Sequence, residues 1–410
     1  MDIGSMDLRE YCGLNRPRFR FDPETDAEWY FGNREVNDEL VRRVSSDFVI
    51  RGVPKCGVVG RFGSGKTHTL FHLKYLFETN PESYPAKPFV FRIHPYDESI
   101  PGLGGWSYIH SKMLDAMGEG FMREMVRAFD RLPDTRTQDL ADAMAGVFRF
   151  GSENLRQSLA KVLSAYFLRD IRSTMPAWRW LRGQKPSGQE LSNEGITMRL
   201  EKGGDMIDAI LNLGAMSRKV SDLGICFLMD EAQALETVDK REVEIHDAFL
   251  QMAEPDNEDV GFVLAYFGTG QRAIPPVISE PDDIISRLDV TRANINEAFI
   301  DLRRIINSEQ DVKQFMLDFL SSIRNPEQAA EVVEHFDLGE RTRPELLPFD
   351  SGALDRTVEI LFQTEELRNP RMIIANLARV AAASYQRAKH QGEYVIADAS
   401  LVNEELSSLR

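Results

Sequence analysis

One short segment combines glycines with a lysine and a threonine at a spacing that suits phosphate binding. Its residues are Gly60, Arg61, Phe62, Gly63, Ser64, Gly65, Lys66 and Thr67. The pattern G-x-x-x-x-G-K-T follows a short apolar strand pattern at 57–59 and precedes a helical pattern. Glycines let backbone N–H groups turn toward a phosphate with no Cβ in the way, and the helix adds its positive N-terminal end. The alternative is a glycine-rich turn without a ligand.

This pattern predicts a binding site for a nucleoside triphosphate and its metal ion. We expect Lys66 to hold the β- and γ-phosphates of ATP and Thr67 to ligate Mg²⁺. The cofactor-binding segment is taken to extend one residue further, to His68. The same segment should therefore carry both the ATP contacts and one magnesium ligand.

A pair of acidic residues follows a continuous apolar run much further along the chain. Residues 225–229 are all apolar, as in a strand buried on both faces of a parallel sheet, and Asp230 and Glu231 come next. Such a strand end directs its carboxylates toward the cleft of the sheet. We expect Asp230 to hold the Mg²⁺ shell and Glu231 to orient and deprotonate the attacking water. Acidic residues often follow strands, so the pair alone is weak evidence for a catalytic site. The phosphate-binding pattern in the same chain strengthens that interpretation.

Taken together, the motif order resembles AAA+ ATPases of the initiator-like (origin-recognition) branch. The segments that carry this resemblance are the 60–67 loop, the strand ending in Asp230 and Glu231, a strand 261–267 followed by Gly268-Thr269-Gly270-Gln271, the triplet Ser286-Arg287-Leu288, and a helical tail with Asn369-Pro370-Arg371. Residues 31–35 (Phe-Gly-Asn-Arg-Glu) look like the F-x-G-R-E entry helix of that branch. Asn33 departs from the pattern, which has glycine at that position.

The resemblance implies roles for three further residues. Thr269 would contact the γ-phosphate or the lytic water; the alternative is a turn threonine that satisfies backbone groups. Arg287 would be an arginine finger that reaches a neighbouring subunit's nucleotide, which implies a homo-oligomeric ring, arc or filament. The alternative is a surface arginine paired with nearby aspartates. Arg371 would be the second sensor, an arginine that contacts the bound nucleotide. The alternative is that Arg371 lies at the start of a helix and pairs with Glu365 and Glu366.

A shorter string suggests a biological setting. Residues 178–183 (Trp-Arg-Trp-Leu-Arg-Gly) are similar to the W-L-R-G placement in P-loop ATPases of bacteriophage-exclusion and related prokaryotic conflict operons. Initiator proteins carry a winged-helix domain after the helical tail, and this chain stops shortly beyond that tail. These two observations favour a role in defence or in a mobile element over replication initiation.

Composition limits the partners. The chain has 49 basic and 65 acidic residues and a formal net charge of −16, which opposes non-specific adhesion to nucleic acid. Any DNA contact would be local, at Arg16, Arg18 and Arg20 or at Trp178, Arg179, Trp180, Arg182 and Lys185. The stronger interpretation of this mixture of arginine and tryptophan is a protein interface or the end of an amphipathic helix. No apolar run is long enough to span a bilayer, which favours a cytoplasmic protein with no membrane association. Three cysteines without a C-x-x-C pair favour neither a disulfide framework nor a zinc site.

These patterns predict an α/β fold, namely a parallel-sheet P-loop NTPase (AAA+) core with a large helical insertion and a C-terminal helical lid. We expect an N-terminal arm at 1–28, a nucleotide-binding domain at 29–304 and a lid at 305–410. Further strands are expected at 90–93 and 298–302. The insertion, about 105–200, is methionine-rich at helical spacing, as in a core stripe or an adaptable partner surface.

The expected function is a molecular switch that hydrolyses ATP and controls a partner protein. A DNA-loaded ATPase that regulates transposition or replication, and a nucleotide-sensing scaffold without turnover, remain alternatives. A small-molecule kinase shares the phosphate-binding pattern, but the Asp230-Glu231 pair and the late arginines speak against it.

Overall fold

Five strands form one sheet at the centre of the fold. The computed structural model describes residues 1–32, 34–82, 88–92, 106–133, 139–168, 175–184, 187–193, 195–232, 242–254, 256–267 and 299–407. The strands are β1 (Lys55–Gly60), β2 (Pro88–Arg92), β3 (Ile225–Asp230), β4 (Val260–Phe267) and β5 (Phe299–Asp301). Their order in the sheet is β2-β3-β4-β1-β5.

The neighbouring strands run parallel. Strand β2 pairs with β3 from Pro88 opposite Cys226 to Arg92 opposite Asp230, and β3 pairs with β4 in the same sense. Strand β1 runs beside β4 in the same direction. Phe262 N–H donates to the Pro54 C=O at 2.7 Å, and further along both segments a Cβ at Gly57 would lie 2.9 Å from the Leu264 oxygen. The carboxyl ends of β1 and β3 therefore lie at one edge of the sheet, with β4 between them.

This sheet confirms the predicted α/β class. All six residues of β3 are buried, as expected of a strand covered on both faces. The predicted strand boundaries need small corrections. Strand β2 begins at Pro88 rather than residue 90, and residue 93 lies outside the described residues. Strand β5 ends at Asp301, because residues 302–305 form a 3-10 turn.

Helices make up most of the rest of the described chain. They are α1 (Leu8–Cys12), α2 (Arg34–Arg51), α3 (Lys66–Thr79), α4 (Trp106–Asp130), α5 (Leu140–Val147), α6 (Glu153–Leu168), α7 (Met175–Leu181), α8 (Gly188–Asn193), α9 (Gly203–Ser221), α10 (Glu242–Ala253), α11 (Glu309–Ser322), α12 (Pro326–His335), α13 (Ser351–Leu361), α14 (Pro370–Gln391) and α15 (Ala399–Leu406). Within the described ranges, none of these helices is both long and apolar enough to cross a membrane.

The chain divides into two compact units. The first unit comprises residues 1–39, 60–72 and 301–410, and the second comprises 40–59 and 73–300. The first unit thus combines the N-terminal residues, the phosphate-binding pattern and the C-terminal helices. The second unit holds nearly all of the sheet together with helices α4 to α10.

In the second unit, the methionine-rich stripe is core. Met113, Met117, Met122 and Met125 of helix α4 are all at most 4% exposed. The helix is kinked at Gly118, which has a φ of +68°. Methionines from both halves of the helix lie in one buried hydrophobic cluster. The alternative of an adaptable partner surface therefore does not apply to these side chains.

The tryptophan-arginine string is also part of this core. Trp180 in helix α7 is fully buried, and its Nε1–H donates to the Met198 carbonyl at 2.8 Å. The flanking arginines pair within the unit, Arg182 with Asp115 at 2.8 Å and Arg179 with Glu190 at 3.7 Å. Lys185 lies outside the described residues. A stacking platform for nucleic acid needs an exposed ring, which Trp180 does not offer.

In the first unit, the N-terminal residues begin with a short capped helix. Asp7 and Glu10 form a reciprocal capping box at the start of α1. Tyr11 follows it into the interior, where its hydroxyl lies 2.9 Å from Ser384 Oγ on α14 and also donates to the Val395 carbonyl. Among the nearby arginines, Arg16 pairs with Asp26 at 2.7 Å. The expected irregular segment at 1–28 thus contains an ordered helix that packs on the C-terminal helices.

Candidate functional site

The 60–67 segment forms a loop that closes around the side chain of Lys66. Strand β1 ends at Gly60 and helix α3 begins at Lys66. The Lys66 ammonium donates to the carbonyls of Gly60 and Arg61, both at 3.0 Å, and the residue is only 8% exposed. A buried ammonium held by loop carbonyls fixes one positive charge at the centre of the loop.

Two glycines give this loop its shape. Gly63 has a φ of +78° and Gly65 a φ of +91°, in the region that residues with a Cβ rarely adopt. Between them, the Ser64 hydroxyl is buried, and among the described residues it has no hydrogen-bond partner. A buried hydroxyl is normally satisfied by protein, water or ligand. The loop therefore has a backbone suited to a phosphate cradle and a polar group that a ligand could satisfy.

The start of helix α14 lies directly on the loop. Asn369 caps α14 by accepting from Met372 N–H at 3.0 Å, and a Cβ at Gly63 would lie 2.8 Å from its Oδ1. That same Cβ would lie 3.0 Å from the Cβ of Arg371. The backbone of Arg371 therefore lies next to the phosphate-binding pattern, and its role as a second sensor stays a prediction.

Charged and aromatic contacts join the two segments. The Arg61 guanidinium lies 3.2 Å from Glu365 and 3.8 Å from Glu366. The Arg371 guanidinium carbon lies 4.7 Å from the centre of the Phe62 ring. The two glutamates that were alternative partners for Arg371 therefore pair with Arg61. Nothing in the sequence pattern identified Phe62 as a contact of Arg371.

A cavity opens beside the loop within the first unit. It has a volume of about 340 Å³. Three aliphatic side chains line it together with polar and charged residues and one proline: Leu302, Ile305, Ile306, Arg61, Ser64, Asp301, Arg304, Asn307, Glu365, Arg368, Asn369 and Pro370. Aliphatic and polar groups side by side next to a phosphate cradle suit the flat, polar-edged base of a nucleotide.

His68 points into an aromatic cluster. Its Nε2–H donates to the Trp29 carbonyl at 2.5 Å, and its ring lies edge-on to Phe21 with 4.5 Å between ring centres. Burial, reinforced by the charge of His72, lowers the pKa of His68 to about 4. The imidazole is therefore neutral at pH 7, and in this arrangement it anchors the segment before helix α2. The sequence motif predicts that His68 contacts the cofactor, and it does not predict the hydrogen bond to Trp29.

In the second unit, Asp230 and Glu231 stand at the carboxyl end of β3. Asp230 is 1% exposed, and Glu231 has a φ of +57°. A left-handed conformation is uncommon for glutamate and costs conformational energy, so such outliers often mark functional positions. The conformation supports a functional interpretation of Glu231.

Two predicted site residues and the residue that departs from the entry-helix pattern lie outside the described residues. They are Asn33, Thr269 and Arg287. Their roles remain predictions.

Two side chains of the predicted metal site have donor atoms that fit Mg²⁺. Thr67 offers a hydroxyl and Asp230 a carboxylate, the hard oxygen ligands that this ion prefers. Among the described residues, no group of three or more His, Cys, Asp or Glu could hold a metal by itself. Magnesium is commonly held by one or two protein oxygens together with substrate phosphates, so each donor by itself has the chemistry for an ion that arrives with a nucleotide.

Comparisons with known proteins complete the description of the site. No protein-family model matches the sequence, and no curated protein matches it. Among solved structures, the chain is similar to the ORC1 protein of Aeropyrum pernix, solved in complex with DNA, with 10% sequence identity and a TM-score of 0.41. The alignment covers 93% of this chain and 66% of that one, so the chain spans about two thirds of the length of that protein.

Proposed function

We propose that this protein binds ATP with Mg²⁺ at the 60–67 loop and hydrolyses it to ADP and phosphate. The observation that carries the proposal is the loop itself, which has two left-handed glycines and holds the buried ammonium of Lys66 against its own carbonyls. A fixed cation together with inward-turning backbone N–H groups is the arrangement that binds polyphosphates.

Each group has a distinct proposed task. Lys66 exchanges its carbonyl partners for the β- and γ-phosphate oxygens, and Thr67 and Asp230 hold Mg²⁺, which would offset phosphate charge when bound. Glu231 takes the proton of the attacking water, Thr269 orients that water, and Arg371 adds positive charge at the phosphates. The adenosine lies in the cavity beside Ser64 and Asn369, whose hydroxyl and amide can hydrogen-bond to it.

Nucleotide binding is the first test. Titration of a fluorescent ATP analogue with Mg²⁺ should give saturable binding to the wild type. Lys66→Ala should weaken it by about a hundredfold or more, because buried phosphate charge loses its partner. Lys74→Ala is the matched control, since Lys74 lies on the same helix and pairs with Glu78 at 3.7 Å. Equal affinity in wild type and Lys66→Ala would refute the site.

Turnover is the second test. Phosphate release should be measurable for the wild type and should fall about a hundredfold or more in Glu231→Gln, while ATP binding persists. Binding without any phosphate release in the wild type would indicate a nucleotide-sensing scaffold instead.

We further propose that the active form is a homo-oligomer in which Arg287 of one subunit reaches the γ-phosphate of the next. Arg287→Ala should keep ATP affinity and lose turnover. Mixing Arg287→Ala with Lys66→Ala should restore part of the activity, since one variant supplies an intact pocket and the other an intact arginine. No recovery at any ratio, with turnover independent of protein concentration, would mean that the protein acts as a monomer.

The proposed biological role is a cytoplasmic switch that controls a partner protein in a prokaryotic defence or mobile-element system. It is supported by the short 178–183 resemblance and by the net charge of −16, which disfavours nucleic acid as the main partner. Co-purification with the products of neighbouring genes, with ATP and without it, tests this role. Salt-dependent binding to duplex DNA near physiological ionic strength would favour the DNA-loaded alternative.

A further inference from the structure

Phe62 is a large apolar residue exposed at the tip of the phosphate-binding loop. Its exposed fraction is 65%, so its ring contributes little to any core. The ring instead carries the guanidinium of Arg371, whose central carbon lies 4.7 Å from the ring centre. At this distance the cation and the negative face of the ring attract each other.

The backbone at both ends of this contact is already fixed. Arg371 N–H donates to the Gly63 carbonyl at 3.5 Å, and Arg61 next to Phe62 pairs with Glu365 at 3.2 Å. The Arg371 side chain, in contrast, is exposed and has several rotatable bonds. Without a partner its guanidinium would sample many positions, and ligand binding would have to select one at a cost in conformational entropy.

We propose that Phe62 is a positioning residue that holds the Arg371 guanidinium at the phosphate-binding loop before ATP binds. This inference rests on the proposed function, because it describes how the same site is prepared for its ligand. A cation held against a ring leaves N–H donors at the edge of the guanidinium available for phosphate oxygens. The contact therefore pre-organises Arg371 and does not compete with the phosphates.

Exposed cation–π contacts are weak, so the expected effect is small and needs a matched series. Phe62→Leu keeps an apolar side chain without the π-system and should weaken ATP binding about two- to fivefold. Phe62→Tyr restores the ring and should recover most of the affinity lost in Phe62→Leu. Since Phe62 is largely exposed, these variants should fold, and equal melting temperatures would verify this.

The decisive experiment is a double-mutant cycle that reads the dissociation constant of a fluorescent ATP analogue. Phe62→Leu should weaken binding in the wild-type background and have no effect when Arg371 is already alanine. Equal fold-changes in both backgrounds would overturn the proposal, because Phe62 would then shape the loop without acting through Arg371. Tighter binding in Phe62→Leu would also overturn it, since the ring would then withhold Arg371 from the phosphates.

Adding Lys66→Ala to the cycle separates failure of the inference from failure of the proposed function. If the wild type and Lys66→Ala both fail to bind the ATP analogue, the nucleotide site itself is wrong. If the wild type binds and Lys66→Ala does not, while Phe62→Leu binds like the wild type, only the positioning role of Phe62 is wrong.

Discussion

The Oδ1 of Asn369 occupies the space that a side chain at Gly63 would need. A Cβ built on Gly63 would lie 2.8 Å from this oxygen, closer than real Cβ contacts. Because Asn369 also caps helix α14, the glycine is what lets that helix begin against the loop.

Gly63→Ala should therefore disturb the loop in two ways. Alanine at a φ of +78° costs roughly 1–2 kcal/mol, and its methyl group must displace Asn369 or the loop. We expect a lower melting temperature and weaker ATP binding. Gly120→Ala is the control, since a Cβ there meets nothing within 4 Å, and it should leave stability unchanged or raise it by up to about 1 kcal/mol. Equal stability of both variants would contradict the steric argument.

The left-handed backbone of Glu231 gives a second prediction. Asparagine tolerates this conformation better than glutamine, and both substitutions remove the carboxylate. Glu231→Asn should therefore melt at least as high as Glu231→Gln, while both lose phosphate release. Full turnover in either variant would show that Glu231 is not the base, and a markedly less stable Glu231→Asn would show that its backbone is not strained.

The ionic contact between Arg61 and Glu365 should contribute little to stability, and it should tolerate an exchange of the two charges between these positions. The Arg61 side chain is 32% exposed and that of Glu365 is 53% exposed, so the pair contributes about 0.2–1 kcal/mol. Arg61→Glu should lower thermal stability by at least this amount at low salt, because it places a carboxylate beside both Glu365 and Glu366, and adding Glu365→Arg should restore part of the loss. Persistence of the loss in the double variant would mean that Arg61 acts through other contacts.

Two buried histidines predict loss of stability in acid. Burial is the main cause that lowers the pKa values of His68 and His110 to about 4, from about 6.5 for an exposed histidine. Well above pH 6.5 both histidines are neutral in the folded and in the unfolded chain, so burial of the imidazoles does not lower the free energy of unfolding through their titration. As pH falls from 6.5 toward 4, these histidines become protonated in the unfolded chain but stay neutral in the folded chain. The free energy of unfolding therefore decreases.

Each histidine should contribute on the order of 3 kcal/mol to this decline. Melting temperatures measured from pH 7.5 to pH 4 should fall less steeply for His68→Gln than for the wild type. His110→Gln should act in the same direction. Identical slopes in all three proteins would mean that neither histidine resists protonation when folded.

The sequence predicted features whose signals are local. The 60–67 pattern is a run of consecutive residues, and β3 is a continuous apolar segment, so both could be recognised without knowledge of the fold. The capping box of α1 was equally local, as Asp7 and Glu10 are three residues apart, but a helix of five residues gives too little periodicity to notice.

Contacts between distant segments could not be derived in this way. Phe62 and Arg371 are separated by most of the chain, and no pattern in either segment indicates that they meet. Trp180 illustrates another limit. Tryptophan flanked by arginines is typical of core edges as well as of binding surfaces, and only the buried bond to Met198 distinguishes them.

The composition of the first unit has a consequence for biosynthesis. Residues 60–72 belong to the same unit as residues 301–410, so the partners of the loop emerge from the ribosome only after residues 73–300 have been made. At a synthesis rate of about 5–20 residues per second, many seconds pass between the synthesis of Gly63 and that of Asn369. A nascent or prematurely terminated chain that lacks residues 365–371 cannot form the contacts that hold Arg61 and Phe62. Translation through residue 371 is therefore required before this site can assemble.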